Sequence, residues 1–159
     1  MEAERIGRVL GVVYRHSLNY MNSFSQELGL SALECVFLVS ILVNEGINQE
    51  QLSTLHAIDK SATAKAMKSL EAKGFITREQ SRDDKRAKNV FPTQKSQQTH
   101  SVIAEKLQAY LEYTSKDIDA EDFAITLRTL ERVASRLTLS PLAVIPEGKN
   151  TRGSRRNRQ

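Results

Sequence analysis

The chain has 159 residues, 40% hydrophobic and 26% charged, which excludes wholesale disorder and suffices for one domain or two small lobes. Its longest apolar stretch, Val36 to Val43, is eight residues broken by Ser40, far short of the roughly 20 needed to cross a bilayer. Twenty-three basic and 19 acidic side chains leave a net charge of +4, and a single cysteine, Cys35, excludes an internal disulfide. The charged start, Met1 to Arg5, leads into no apolar signal region, so a cytoplasmic protein without a membrane partner is expected.

The charge is segregated. Residues 1–47 and 101–145 each carry −2, whereas residues 48–100 (10 basic, 6 acidic) and 146–159 (5 basic, 1 acidic) each carry +4. A basic block set in a neutral body is the electrostatic footprint of a polyanion binder, though a lysine-rich solvated face has the same composition.

Ile6, Leu10, Val13, Ser17, Tyr20 and Phe24 alternate steps of four and three, the seam of a long amphipathic helix ending near Gly29. Ser31-Ala-Leu-Glu34 has the form of a capping box and opens a core helix over 33–43. Gly46 breaks the chain. Asn48 and Gln51 form a second box-like start for a short helix, 49–56, with Leu52 and Leu55 as its expected buried pair. Asp59 or Ser61 caps the next helix, which turns Ala66, Met67 and Leu70 inward and stops at Gly74. Two β-like runs, 75–78 and 89–91, flank a charged stretch, 81–88, and suggest a hairpin. A long polar helix from Thr93 to about Lys116 follows, then Ala120 to Leu137 with Phe123, Leu127, Leu130, Ala134 and Leu137 on a second narrow seam. Such seams need a partner surface, in each other or across a dimer. From Pro146 onward Gly, Asn, Ser and Arg dominate, the composition of a disordered tail.

This order reads as a mainly α fold, a winged helix-turn-helix between helical arms. Four units are expected: an N-terminal dimerisation helix (1–30), the winged helix-turn-helix (31–92), a C-terminal helical arm (93–140) and a basic tail (141–159). Ile58-Asp-Lys-Ser-Ala-Thr-Ala-Lys65, followed by Leu70-Glu-Ala-Lys-Gly-Phe-Ile-Thr-Arg78, resembles the recognition helix and exit of the MarR (multiple antibiotic resistance regulator) family of bacterial transcription regulators. Asp83-Asp-Lys-Arg-Ala-Lys88 resembles the family wing, with Asp84 and Arg86 in its aspartate-x-arginine places, and Leu28-Gly-Leu30 also fits. The family commonly has threonine where this chain has Ala64 and arginine where it has Lys65; Thr63 is a candidate to replace that threonine from one position earlier.

The resemblance implies a homodimeric, sequence-specific regulator of transcription, a ligand-responsive repressor whose partners are double-stranded DNA, a second copy and a small aromatic acid such as salicylate. DNA contacts are expected from Ser61, Ala62, Thr63, Lys65 and Lys68 in the major groove. Arg86 is placed to enter the minor groove, aligned by Asp84; Arg78 and Arg82 flank the wing and are expected at phosphates, and Lys85 and Lys88 complete the expected DNA contacts. An effector pocket is expected among Tyr14, Phe37, Met67 and Tyr110, and a dimer interface among Ile6, Leu10, Val13, Phe123, Leu127 and Leu130. Cys35, beside Glu34 in a core-like helix, reads as a buried thiol rather than an oxidant sensor. His16, His56 and His100 have no metal-ligand spacing, and no nucleophile, phosphate-loop or metal motif is present, so neither catalysis nor a cofactor is expected. Two other readings fit the same sequence: an architectural, weakly specific DNA binder, and a helical protein-interaction module.

Overall fold

The computed structural model describes residues 2–81 and 87–139. Helix α1 (Glu2–Ser25) runs through a 3-10 turn, Gln26–Leu28, to Gly29, whose positive φ lets the chain reverse. Helix α2 (Ala32–Val43) starts on the expected box: Glu34 N–H donates to Ser31 Oγ and Ser31 N–H to Glu34 Oε2. Helix α3 (Gln49–His56) starts on the second box, Asn48 with Gln51. Between α3 and helix α4 (Lys60–Ala72) the reversal is made at Ala57, a non-glycine residue with φ of 51°. Backbone and side-chain bonds between Ser53 and Ile58 hold it there. Asp59, not Ser61, caps α4, accepting from Ala62 N–H at 2.8 Å. Gly74 takes the expected left-handed position after its last turn.

The wing is an antiparallel pair, β1 (Ile76–Gln80) and β2 (Lys88–Pro92), with Arg78 opposite Val90. A third short segment, unforeseen from the sequence, pairs with β2. Gly46 N–H donates to Val90 O at 2.9 Å, Val90 N–H to Ile47 O at 3.0 Å, and Asn48 bridges Asn89. Two or three residues are too few to show a period of two.

Helix α5 (Gln94–Ser115) packs on α2 and β2, burying Ser96 and Ile103. The core joins Phe37, Leu38 and Ile41 of α2, Leu52 of α3, and Met67 and Leu70 of α4. Phe75, Ile76 and Val90 at the wing and Ile103 of α5 complete it. Leu55, the expected partner of Leu52, is 53% exposed. It lines an open groove with Asn44, Glu45, Gly46, Ile47 and Gln51.

The described residues form two compact units, one up to Ile118 and one from Asp119. The first therefore extends past the expected boundary at 93, because the start of α5 is anchored in the winged core. The second holds helix α6 (Ala120–Leu139), with an apolar line through Phe123, Leu127, Leu130 and Leu137. Among the described residues no single helix is long and apolar enough to cross a membrane.

Candidate nucleic-acid interface

Helix α4 has two faces. Thr63, Ala66, Met67 and Leu70, spaced by three and four, are buried and fix its rotation. Ser61, Lys65 and Lys68 are exposed on the opposite side, with Ala62 and Ala64 partly exposed on its flanks. This corrects the expectation for Thr63. It shares the inward stripe, is fully buried, and its Oγ1 donates to Asp59 O at 2.9 Å. It cannot reach a groove or replace the family threonine.

Lys60, at the start of α4, meets Glu50 of α3 at 2.7 Å. Each group holds its partner charged: the hydrogen bond from Lys60 lowers the Glu50 pKa, and that to Glu50 raises the pKa of Lys60. Both side chains are largely exposed, so salt screens the pair. Arg78 is not a free cation. Its Nε lies 3.1 Å from Glu71 Oε2, and the side chain is mostly covered. Its position ties the first wing strand to the last turn of α4, away from the phosphate role expected for it. Lys88 is exposed at the start of β2. Lys60, Arg78 and Lys88 share the rim of one open cleft of about 470 Å³ with Asn48, Gln49 and Glu50. The cleft thus joins the start of α4 to the base of the hairpin, with Lys88 exposed, Lys60 paired to Glu50 and Arg78 to Glu71. Arg82, Asp84, Lys85 and Arg86 lie outside the described residues.

The four expected effector residues do not assemble into a pocket. Phe37 and Met67 are fully buried in the core, and Tyr14 is 67% exposed on α1. Tyr110 instead stacks on Tyr20 at 4.7 Å between centroids and hydrogen-bonds Ser17 at 3.0 Å, while Tyr20 Oη donates to Lys106 O. That cluster clamps α1 to α5. Amphipathic spacing places Phe37 and Met67 on inward faces, and both are taken up by the core itself.

Cys35 is buried, and burial, with the nearby Glu34 carboxylate, pushes its thiol up to about 11. A thiol so protonated is a poor target for oxidants. His56 Nε2 lies 2.8 Å from Ser40 Oγ, and burial lowers its pKa. Among the described residues no three metal-ligating side chains cluster. On α1, Ile6, Leu10 and Val13 are exposed; on α6, Leu127 and Leu130 are exposed and Phe123 is half-buried.

The sequence model of the MarR family matches residues 30–88, from the start of α2 to the wing. A MarR family transcriptional regulator from Listeria monocytogenes, solved with a 26mer DNA, superposes with a TM-score of 0.79 at 29% identity, over 82% of this chain and 87% of that one. In sequence over the winged segment and in fold over most of its length, the chain is similar to MarR-family winged helix-turn-helix regulators. A MarR protein from Peptoclostridium difficile gives a TM-score of 0.78 at 28% identity, covering 84% and 88% of the two chains. An uncharacterised HTH-type transcriptional regulator of Bacillus subtilis, YybA, is 27% identical over 130 residues, 82% of this chain and 87% of its own length. That similarity supports a DNA-binding, dimeric regulator of transcription, a non-catalytic class of protein. In a MarR-family frame α3 and α4 are the helix-turn-helix and the β1–β2 pair is the wing.

Proposed function

We propose that the protein is a cytoplasmic repressor that binds a pseudo-palindromic operator as a homodimer and is released by a small aromatic acid. The observation that carries the reading is the outer face of α4. Its rotation is fixed by four buried residues, and Ser61, Lys65 and Lys68 stand free on the other side. A recognition helix enters the major groove with such a face. Ser61, Ala62 and Lys65 meet the base edges in this reading, and Lys68 meets phosphate. Arg86 enters the minor groove, held in line by Asp84, with Arg82, Lys85 and Lys88 on neighbouring phosphates. The Listeria relative solved with DNA supports the assignment.

Repression and release follow from spacing. Two recognition helices of a dimer must match half-sites about one helical turn, roughly 34 Å, apart. A ligand that favours a mis-spaced dimer lowers operator affinity by its preference for that state.

An operator selected from random duplexes and titrated by fluorescence anisotropy tests both parts. Lys68→Ala should reduce the slope of log K against log salt by about one, the share of a single phosphate contact. An unchanged slope would put Lys68 in solvent. Millimolar salicylate should weaken operator binding several-fold; unchanged affinity in its presence removes the effector from the reading.

A further inference from the structure

We infer that α4 reads only two features of the operator directly, guanine through Lys65 and thymine methyl groups through Ala64 and Ala62, and leaves adenine unread. The inference rests on the proposed placement of α4 in the major groove and deepens it. Ser61, Lys65, Lys68 and Ala72 lie on one line at steps of four, three and four, all exposed and opposite the buried stripe. Ala64 flanks that line on one side, Ala62 and Ser69 on the other, each partly exposed. No asparagine, glutamine or arginine occupies this face.

Major-groove chemistry makes that composition informative. Adenine is read by an amide that both accepts from N6 and donates to N7, whereas guanine O6 and N7 take Lys or Arg, and the thymine methyl takes small apolar groups. Serine pairs with any base and discriminates little. The nearest amides are committed elsewhere. Asn48 Oδ1 accepts from Gln51 N–H and Gln51 Oε1 from Asn48 N–H, both at 2.9 Å, to cap α3. Gln49 is half-buried in the cleft beside the wing. Lys60 is held by Glu50. The N-terminal part of a recognition helix lies at the base edges, which gives Lys65 and the two alanines the bases and leaves Lys68, almost a turn later, to the backbone.

The test uses the full chain and the selected operator, with thymines replaced singly by deoxyuridine, guanines by 7-deazaguanine and adenines by 7-deazaadenine. Removing the methyl of one or two thymines in each half-site should weaken binding about three- to fivefold, the equivalent of one buried methyl group. Ala64→Gly should abolish the effect at one of them, with Ala64→Ser as a second variant that costs less helix propensity than glycine. At one guanine per half-site, 7-deazaguanine should cost about fivefold or more, and Lys65→Ala should erase that difference while leaving the thymine effects. Insensitivity of every thymine, or a comparable loss at any adenine that persists in protein with an intact wing but vanishes on substitution within α4, overturns the inference. Failure of selection to yield any preferred sequence overturns both it and the sequence-specific reading beneath it.

Discussion

Leu127→Asp is expected to give a monomer that binds the operator at least about a hundredfold more weakly than the parent. On α6, Leu127 is 48% and Leu130 44% exposed; on α1, Ile6, Leu10 and Val13 are 60, 43 and 56% exposed. Val133 and Leu137 extend the α6 seam. Apolar surface arranged along whole helices is rare on monomers and marks an interface. Burying such a leucine is worth about 1.5–3 kcal/mol, and each protomer of a symmetric dimer contributes the position, so the effect is doubled. An aspartate there also has to bury an unpaired carboxylate. The operator penalty follows from valency. A monomer reaches one half-site and loses the effective-concentration gain of the second, about 10²–10⁴. Light scattering and anisotropy on the same preparation check the two parts. A well-folded dimer carrying Leu127→Asp would remove α6 from the interface.

Local signals in the sequence proved readable where one residue does one local job. Ser31 with Glu34 and Asn48 with Gln51 cap the helices they were expected to cap, and Gly74 ends α4. The stripe through Ala66, Met67 and Leu70 sets the rotation of α4, and Thr63 shares its phase, although its nearness to the place of the family threonine points it to the groove. Periodicity had already answered that question: positions 63, 67 and 70 fall on one face, and a threonine can satisfy its hydroxyl on the preceding turn. The ion pairs were out of reach for another reason. Glu50 with Lys60, Glu71 with Arg78 and Glu34 with Lys73 join elements whose relative placement is set by the core. Arg78 therefore looked like one more wing cation, although its partner lies on the recognition helix. The expected effector residues failed similarly, since cavities depend on how whole faces meet.

Lys73→Met should destabilise the winged domain by about 2–3 kcal/mol at pH 7, and the loss should shrink on acidification. Glu34 does two jobs. It accepts from Ser31 N–H in the capping box, and both of its oxygens accept from Lys73 Nζ at 2.9 and 2.8 Å. The carboxylate is almost fully covered, whereas the Lys73 side chain is about a third exposed. Lys73 closes the last turn of α4, its carbonyl accepts from Lys95 Nζ, and Lys95 lies 4.2 Å over the Phe75 ring. One carboxylate thus anchors the start of α2, the end of the recognition helix and the start of α5. Burial pushes the Glu34 pKa up, but hydrogen bonds from Lys73, Ser69 and Ser31 outweigh it and hold the group below its ordinary 4.5. In the parent, the stabilisation is therefore complete above about pH 4.5 and is lost as pH falls through the depressed folded value. Without Lys73 burial dominates, the folded pKa rises, and acid relieves the variant by neutralising the buried group. The two curves converge toward low pH. Urea unfolding at pH 7 and pH 4 measures the gap, and Glu34→Gln combined with Lys73→Met should recover part of it by removing the stranded charge. A gap of equal size at both pH values would mean that Lys73 acts through packing of its alkyl chain, with the Glu34 charge contributing nothing to the junction.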